Sequence, residues 1–146
     1  MPNYSEPLLN GEIITITPAD PGPGIDWSTL LPNNYTYELL GAIFTLVTDI
    51  TVVTRQVRIS FELIGVPHAA VLAPNSQTAT QTRTYYATQT GDATFDATTL
   101  RRPIALPNRL TLPGNYQILS RTESLQPGDD YSAIILLLRR WVNQTV

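Results

Sequence analysis

The run YSAIILLLRRWV, residues 131–142, constrains this chain most. It contains no glycine, proline or helix cap, and the turn-forming stretch Gln126-Pro127-Gly128-Asp129 precedes it. A short apolar run bounded by turn residues reads as a strand. Apolar residues fall on both of its alternating faces, which predicts a strand covered on both sides. The other segments must then supply the layers that cover it.

They are strand-like too. Residues 11–17 (GEIITIT) alternate, and residues 35–47 (YTYELLGAIFTLV) are apolar on both faces. In the latter, Leu40, Ala42, Phe44 and Leu46 share one face, and Leu39, Ile43 and Val47 the other. Residues 52–63 (VVTRQVRISFEL) alternate most cleanly, with Arg55 the exception on the apolar side. These two segments, joined at 48–51, read as a long hairpin. Residues 68–72 predict a short strand and 78–90 a threonine-rich edge strand, with 92–103 loop-like. Residues 104–112 form a short strand broken by Pro107-Asn108, and 116–122 pairs with the final run. No segment holds a helical period.

The expected fold is therefore all-β: an antiparallel two-sheet sandwich, jelly-roll-like, of about eight strands. An immunoglobulin-like sandwich is the alternative, but the chain has no cysteine and so no Cys-Trp-Cys core. Residues 1–10, with Pro2, Pro7, Leu8 and Leu9, read as an extended N-terminal arm, and 11–146 as one domain.

Composition narrows the function. Charged residues make up 14% of the chain, well under the quarter or so usual for soluble domains. The polar surface is carried instead by Thr, Ser, Asn and Gln. All 9 basic residues are arginine, a residue favoured at interfaces for its planar, weakly hydrated fork. A net charge of −3 and no basic patch argue against a nucleic-acid or acidic-membrane partner. No apolar stretch approaches the ~18 residues of a transmembrane helix, and the N-terminus has no secretory-signal pattern.

Catalytic signals are weak. The one histidine, His68, has no carboxylate within five residues and reads as exposed or capping. Cysteine nucleophiles and Schiff-base lysines are excluded because neither residue occurs, and there is no Gly-x-Ser-x-Gly elbow. Glu38 and Glu62, the acids on the long strands, read as solvated. Asp92 and Asp96 form a loop pattern too sparse for calcium, and Asp129-Asp130 reads as turn chemistry. No cofactor or metal is expected; whether loops 18–34 or 91–103 take an ion or glycan is open.

Five segments occur in order: YELL (37–40), TRQVR (54–58), QTATQT (77–82), LPGNY (112–116) and LQPGDDYS (125–132). As a set they resemble small structural proteins of tailed bacteriophages. In those, a Pro-Gly-Tyr strand start and a Gly-Asp-x-aromatic-Ser turn lead into a final apolar strand ending in an aromatic residue. This chain departs from that pattern in carrying Asn115 before Tyr116 and Tyr131 where tryptophan is common.

The resemblance implies a non-enzymatic capsid decoration (cement) protein. Such a protein would sit on the virion surface as a homotrimer that binds the major capsid protein, after assembly in the host cytoplasm. On that reading the expected contact residues are Leu8, Leu9, Trp27, Arg139, Arg140 and Trp141, where core gives way to subunit contact. The alternative is a tail- or fibre-associated glycan-binding sandwich presenting aromatic platforms.

Overall fold

The computed structural model describes residues 11–89 and 101–143. Its ten strands are β1 (Glu12–Ile16), β2 (Ser28–Leu30), β3 (Tyr35–Val47), β4 (Arg58–Leu63) and β5 (Val66–Leu72), then β6 (Thr82–Thr88), β7 (Arg101–Ala105), β8 (Thr111–Pro113), β9 (Tyr116–Ser120) and β10 (Asp130–Val142). They form a six-stranded sheet, order β1-β10-β3-β6-β7 with β8 also on β3, and a four-stranded sheet, order β2-β9-β4-β5.

The expected sandwich is present, and the pairing explains its topology. The Ile64-Gly65 turn joins β4 to β5. Around that hairpin nest the antiparallel pairs β3–β6, β2–β9 and β1–β10. One double-stranded ribbon wound so that successive pairs alternate between two sheets is a jelly roll. Strands β7 and β8 are additions to that eight-stranded plan, and β7 runs parallel to β6. Ile64 takes φ 50 and Gly65 φ 74, which suits a tight hairpin, although Asn-Gly is the usual pair there.

Several local expectations are corrected. Segments 35–47 and 52–63 are not a hairpin, because β3 and β4 lie in different sheets. Residues 48–57 are the crossing between layers, tied by isolated bridges at Arg55 and Gln56. Likewise β9 and β10 do not pair; the turn between them also changes sheet. Strand β6 is interior, between β3 and β7, and residues 101–103 open β7 instead of a loop.

The final strand is covered on one face only. Tyr131, Ile134, Leu136 and Leu138 are buried, whereas Ile135 and Leu137 are exposed. Two register shifts against β3, between Ser132 and Ile135 and between Leu137 and Leu138, break the simple period of two. The second shift leaves Leu40 as the extra residue, so Leu39 turns inward beside Ala42, Phe44 and Leu46.

The core is aromatic at its centre. Phe44 stacks on Tyr85 at 5.2 Å and meets Trp27 at 5.3 Å and Tyr131 at 5.7 Å. Each such pair adds about 0.5–1.5 kcal/mol beyond its burial. Burial raises the Tyr85 and Tyr131 phenols well above their ordinary pKa, so both stay protonated donors. Thr122 Oγ1 donates to Asp26 Oδ1 at 2.8 Å, so the Tyr131 hydroxyl donates to Thr122 at 2.5 Å.

Arg55 locks one end of the sandwich. Its Nε and Nη2 donate to the two oxygens of Asp129, each at 2.9 Å. Nη2 also donates to Asp49 at 2.7 Å, and Nη1 to the carbonyls of Thr51 and Val53 at 2.8 and 2.7 Å. All five guanidinium donors are thus used in a fully buried site. Asp129 accepts the Asp49 and Gln126 backbone N–H groups as well, both at 2.8 Å. The expected turn chemistry is there, with a buried ion pair added.

Candidate interaction surface

The outer face of the larger sheet follows from the strand alternation. Residues that do not point to the core are Ile13 and Thr15 on β1, and Ile135, Leu137 and Arg139 on β10. On β3 they are Gly41, Ile43, Thr45 and Val47; on β6, Thr84, Tyr86 and Thr88; on β7, Arg101 and Pro103. Cross-strand pairing makes an apolar row of Ile135, Ile43, Tyr86 and Pro103; Leu137 is the next outward residue along β10, and Ile13, opposite Arg139, lies diagonal to it. Ile13, Ile43, Ile135 and Leu137 are 39–51% exposed. A contiguous exposed apolar band of this kind is a candidate interaction surface.

Gly41 shapes the middle of this band. It has no side chain, so a dent of about 220 Å³ opens over it, walled by Ile43, Tyr86, Thr88, Ile135 and Leu137. Polar groups around the band are mostly satisfied within the chain. Thr45 and Thr84 share a hydroxyl hydrogen bond at 3.0 Å, and Gln89 Nε2 donates to Glu38 at 2.8 Å. Arg101 lies over the Tyr86 ring, 5.2 Å from its centroid.

The two ends of β10 differ from this. Asp130 pairs with Val47 and Arg139 with Glu38, which puts both on the outer face. Asp130 Oδ1 and Arg139 Nε are buried atoms with no hydrogen-bond partner, and neither residue is in a salt bridge among the described residues.

The residues anticipated from sequence scatter. Leu8 and Leu9 lie outside the described residues, as do Asp92 and Asp96. Trp27 is fully buried in the core and has no surface to offer a partner. Its backbone N–H bonds Ser120 Oγ, which pins the loop before β2 to β9. Arg140 bonds Glu12 at 2.8 Å and covers the Tyr35 ring at 4.3 Å. Arg139 and Trp141 are half-buried on the outer face. There they pack against Gly11, where a Cβ would come within 2.6 Å of Arg139 Cγ and 2.9 Å of the Trp141 ring. That crowding, with φ 60, requires glycine at position 11.

The acids expected to be solvated are not. Glu38 is buried beneath Gln89, and Glu62 is fully buried beside Arg121, bonded at 2.7 and 2.9 Å. They stand on different sheets. The Arg121 hydrogen bonds hold the Glu62 carboxyl below the usual carboxylate range. His68 is exposed on β5, with its Nδ1 2.8 Å from the Tyr116 hydroxyl. No cluster of three metal-ligating side chains occurs among the described residues.

Sequence reasoning missed the band because it assigned both faces of residues 35–47 and 131–142 to burial. The signal was available in Gly41, a glycine inside an otherwise apolar strand, which often marks close approach of another group.

No protein-family model and no curated protein matches this chain. Among solved structures, that of PfGH50B is similar over 92% of this chain, at 11% identity and a TM-score of 0.37. The chain spans 23% of that structure's length. A likeness at this level carries nothing about what this chain does.

Proposed function

We propose that this chain is a non-enzymatic adhesive protein, and specifically a decoration protein of a tailed-phage capsid that works as a homo-oligomer. The observation that supports this reading is the open apolar band on the larger sheet. The buried charged side chains Glu38, Arg55, Glu62 and Asp129 are partnered within the fold, whereas this face is left without cover among the described residues. A surface of that kind acts by being buried against another protein. The ordered motifs LPGNY and LQPGDDYS supply the virion context, since they resemble the strand start and turn of small phage structural proteins. The partners on this reading are further copies of the chain and the major capsid protein, on the outer surface of the virion. The resemblance favours a trimer; the sheet face favours the two-fold contact argued below.

The glycan-binding alternative has less support. It needs exposed coplanar rings, and Trp27, Tyr37, Tyr85 and Tyr131 are in the core. Tyr35 is covered by the Arg140 guanidinium. The capsid reading is tested by mixing the purified protein with undecorated capsids of the phage that encodes it. Co-sedimentation at a fixed stoichiometry, with a raised temperature of capsid disruption, is the expected result. Protein that stays in the supernatant at every capsid concentration overturns it.

A further inference from the structure

We infer that the outer face of the larger sheet binds the same face of a second copy, with the two β10 strands antiparallel about a two-fold axis passing at Ile135. The inference rests on the reading of the chain as self-associating, and not on the capsid.

The arrangement follows from where the charges stand. Asp130 and Arg139 lie near opposite ends of one strand, on one face, with Ile135 between them. The bulge between Ser132 and Ile135 takes up part of the longer side, so the two are nearly equidistant from Ile135. A two-fold axis parallel to the sheet and perpendicular to β10 reverses the strand and keeps the lateral order. It sets Asp130 of each copy opposite Arg139 of the other, so one rotation makes two ion pairs. Glu38, the acid directly across from Arg139 within the chain, is held by Gln89.

The rest of the face is compatible with the same axis. Ile135 and Ile43 are cross-strand partners, so both lie near the axis and meet their own copies. The dent over Gly41 faces the Thr45–Thr84 pair of the second copy, whose hydroxyls already bond each other. Arg101 falls opposite Ala105 of the second copy, so no two like charges meet.

The size is sufficient. Five strands at ~4.8 Å spacing, with side-chain margins, give a width of about 24 Å, and the Asp130-to-Arg139 span at ~3.3 Å per residue is about 30 Å. That is roughly 700 Å² per copy, or about 1,400 Å² in total, inside the range of specific interfaces. Two sheets packed face to face about 10 Å apart, with strand directions within about 30° of each other, are an ordinary sandwich contact.

Sedimentation equilibrium on the full chain tests the contact. The expected mass is that of two chains. Leu137→Asp should give a monomer with an unchanged circular dichroism spectrum. Arg139→Asp and Asp130→Arg should each weaken the dimer about tenfold or more, and the double swap should recover most of the loss.

A second readout uses the absence of cysteine from the chain. Ile135→Cys should be linked into a covalent dimer by a short bis-maleimide, whereas Ile64→Cys on the distant hairpin should not. A wild-type monomer, a three-chain mass, or a Leu137→Asp variant that remains dimeric overturns the proposal. A monomer that still decorates capsids sinks this contact and the homo-oligomer, and leaves only the capsid-binding part of that reading standing. A dimer with no affinity for capsids does the reverse.

Discussion

The two sheets of this sandwich treat the centres of their outer faces differently. The smaller sheet is polar and self-covered along its central strand β4, and its exposed apolar residues, Leu30, Val66 and Leu72, stand on the edge strands β2 and β5. Glu62 on β4 is buried under Arg121, Arg58 reaches Glu123 at 2.7 Å, and Ser60 is buried between its neighbours. The larger sheet is apolar outside and leaves Ile43, Ile135 and Leu137 in water. Both sheets share one core, so the difference is not about folding the monomer. A face that exposes apolar area without adding to the shared core is the kind of surface the proposed self-association would bury.

Adjacent positions on β3 test that division most sharply. Phe44 points inward into the aromatic cluster, and Ile43 points outward onto the band. Phe44→Ala should destabilise the chain by about 3–5 kcal/mol, because its neighbours cannot close a cavity of that size. Ile43→Ser should stay within about 1 kcal/mol, as for a partly exposed site with no buried network. Urea unfolding in a monomeric Leu137→Asp background measures both without the contribution of association. Equal costs at the two positions would mean that the outer face belongs to the monomer's own stability.

The jelly roll itself was legible because alternation marks strands, and Gly, Pro and Asp mark the turns between them. Segment 131–142 was legible as a strand but not as one-sided, for two reasons. Bulges at Ser132/Ile135 and Leu137/Leu138 scramble its period. In addition, apolar residues on an exposed face, such as Ile135 and Leu137, look the same in sequence as apolar residues that face a core.

The hairpin assigned to 35–63 failed for a different reason. Sequence adjacency favours pairing, but a jelly roll sends each strand to the opposite sheet. Arg55 sat at odds with its strand's pattern and Glu62 fitted the polar face as a solvated acid, yet both prove to be buried in ion pairs. Their partners Asp129 and Arg121 are distant in sequence, so no local spacing could announce them.

The self-covering of the smaller sheet has a pH signature. Arg121 lowers the pKa of Glu62 in the folded chain relative to the unfolded one. The pair therefore stabilises the fold fully above the unfolded carboxylate pKa. That stability is lost as pH falls through the lower, folded pKa. Arg121→Ala should cost about 1–3 kcal/mol at neutral pH, at the lower end because the guanidinium is half exposed. The cost should shrink as the pH is lowered through the Glu62 titration. Urea midpoints for both proteins across the acid range measure this. A pH-independent difference would mean that Arg121 acts through its aliphatic stem.

The smallest expected change separates the two faces most directly. A Cβ on Gly41 would lie 3.4 Å from the Ala87 carbonyl oxygen and 4.0 Å from Leu137 Cβ, ordinary contacts in the isolated chain. Gly41→Ala should therefore stabilise the monomer by about 0.4–1 kcal/mol, by restricting the unfolded chain. If the dent over Gly41 receives side chains of a second copy, the same substitution should weaken self-association several-fold. Monomer stability rising while association falls is the pattern expected of a glycine kept for a partner. A loss of monomer stability, with association unchanged, would make Gly41 a requirement of the strand and remove the dent from the contact.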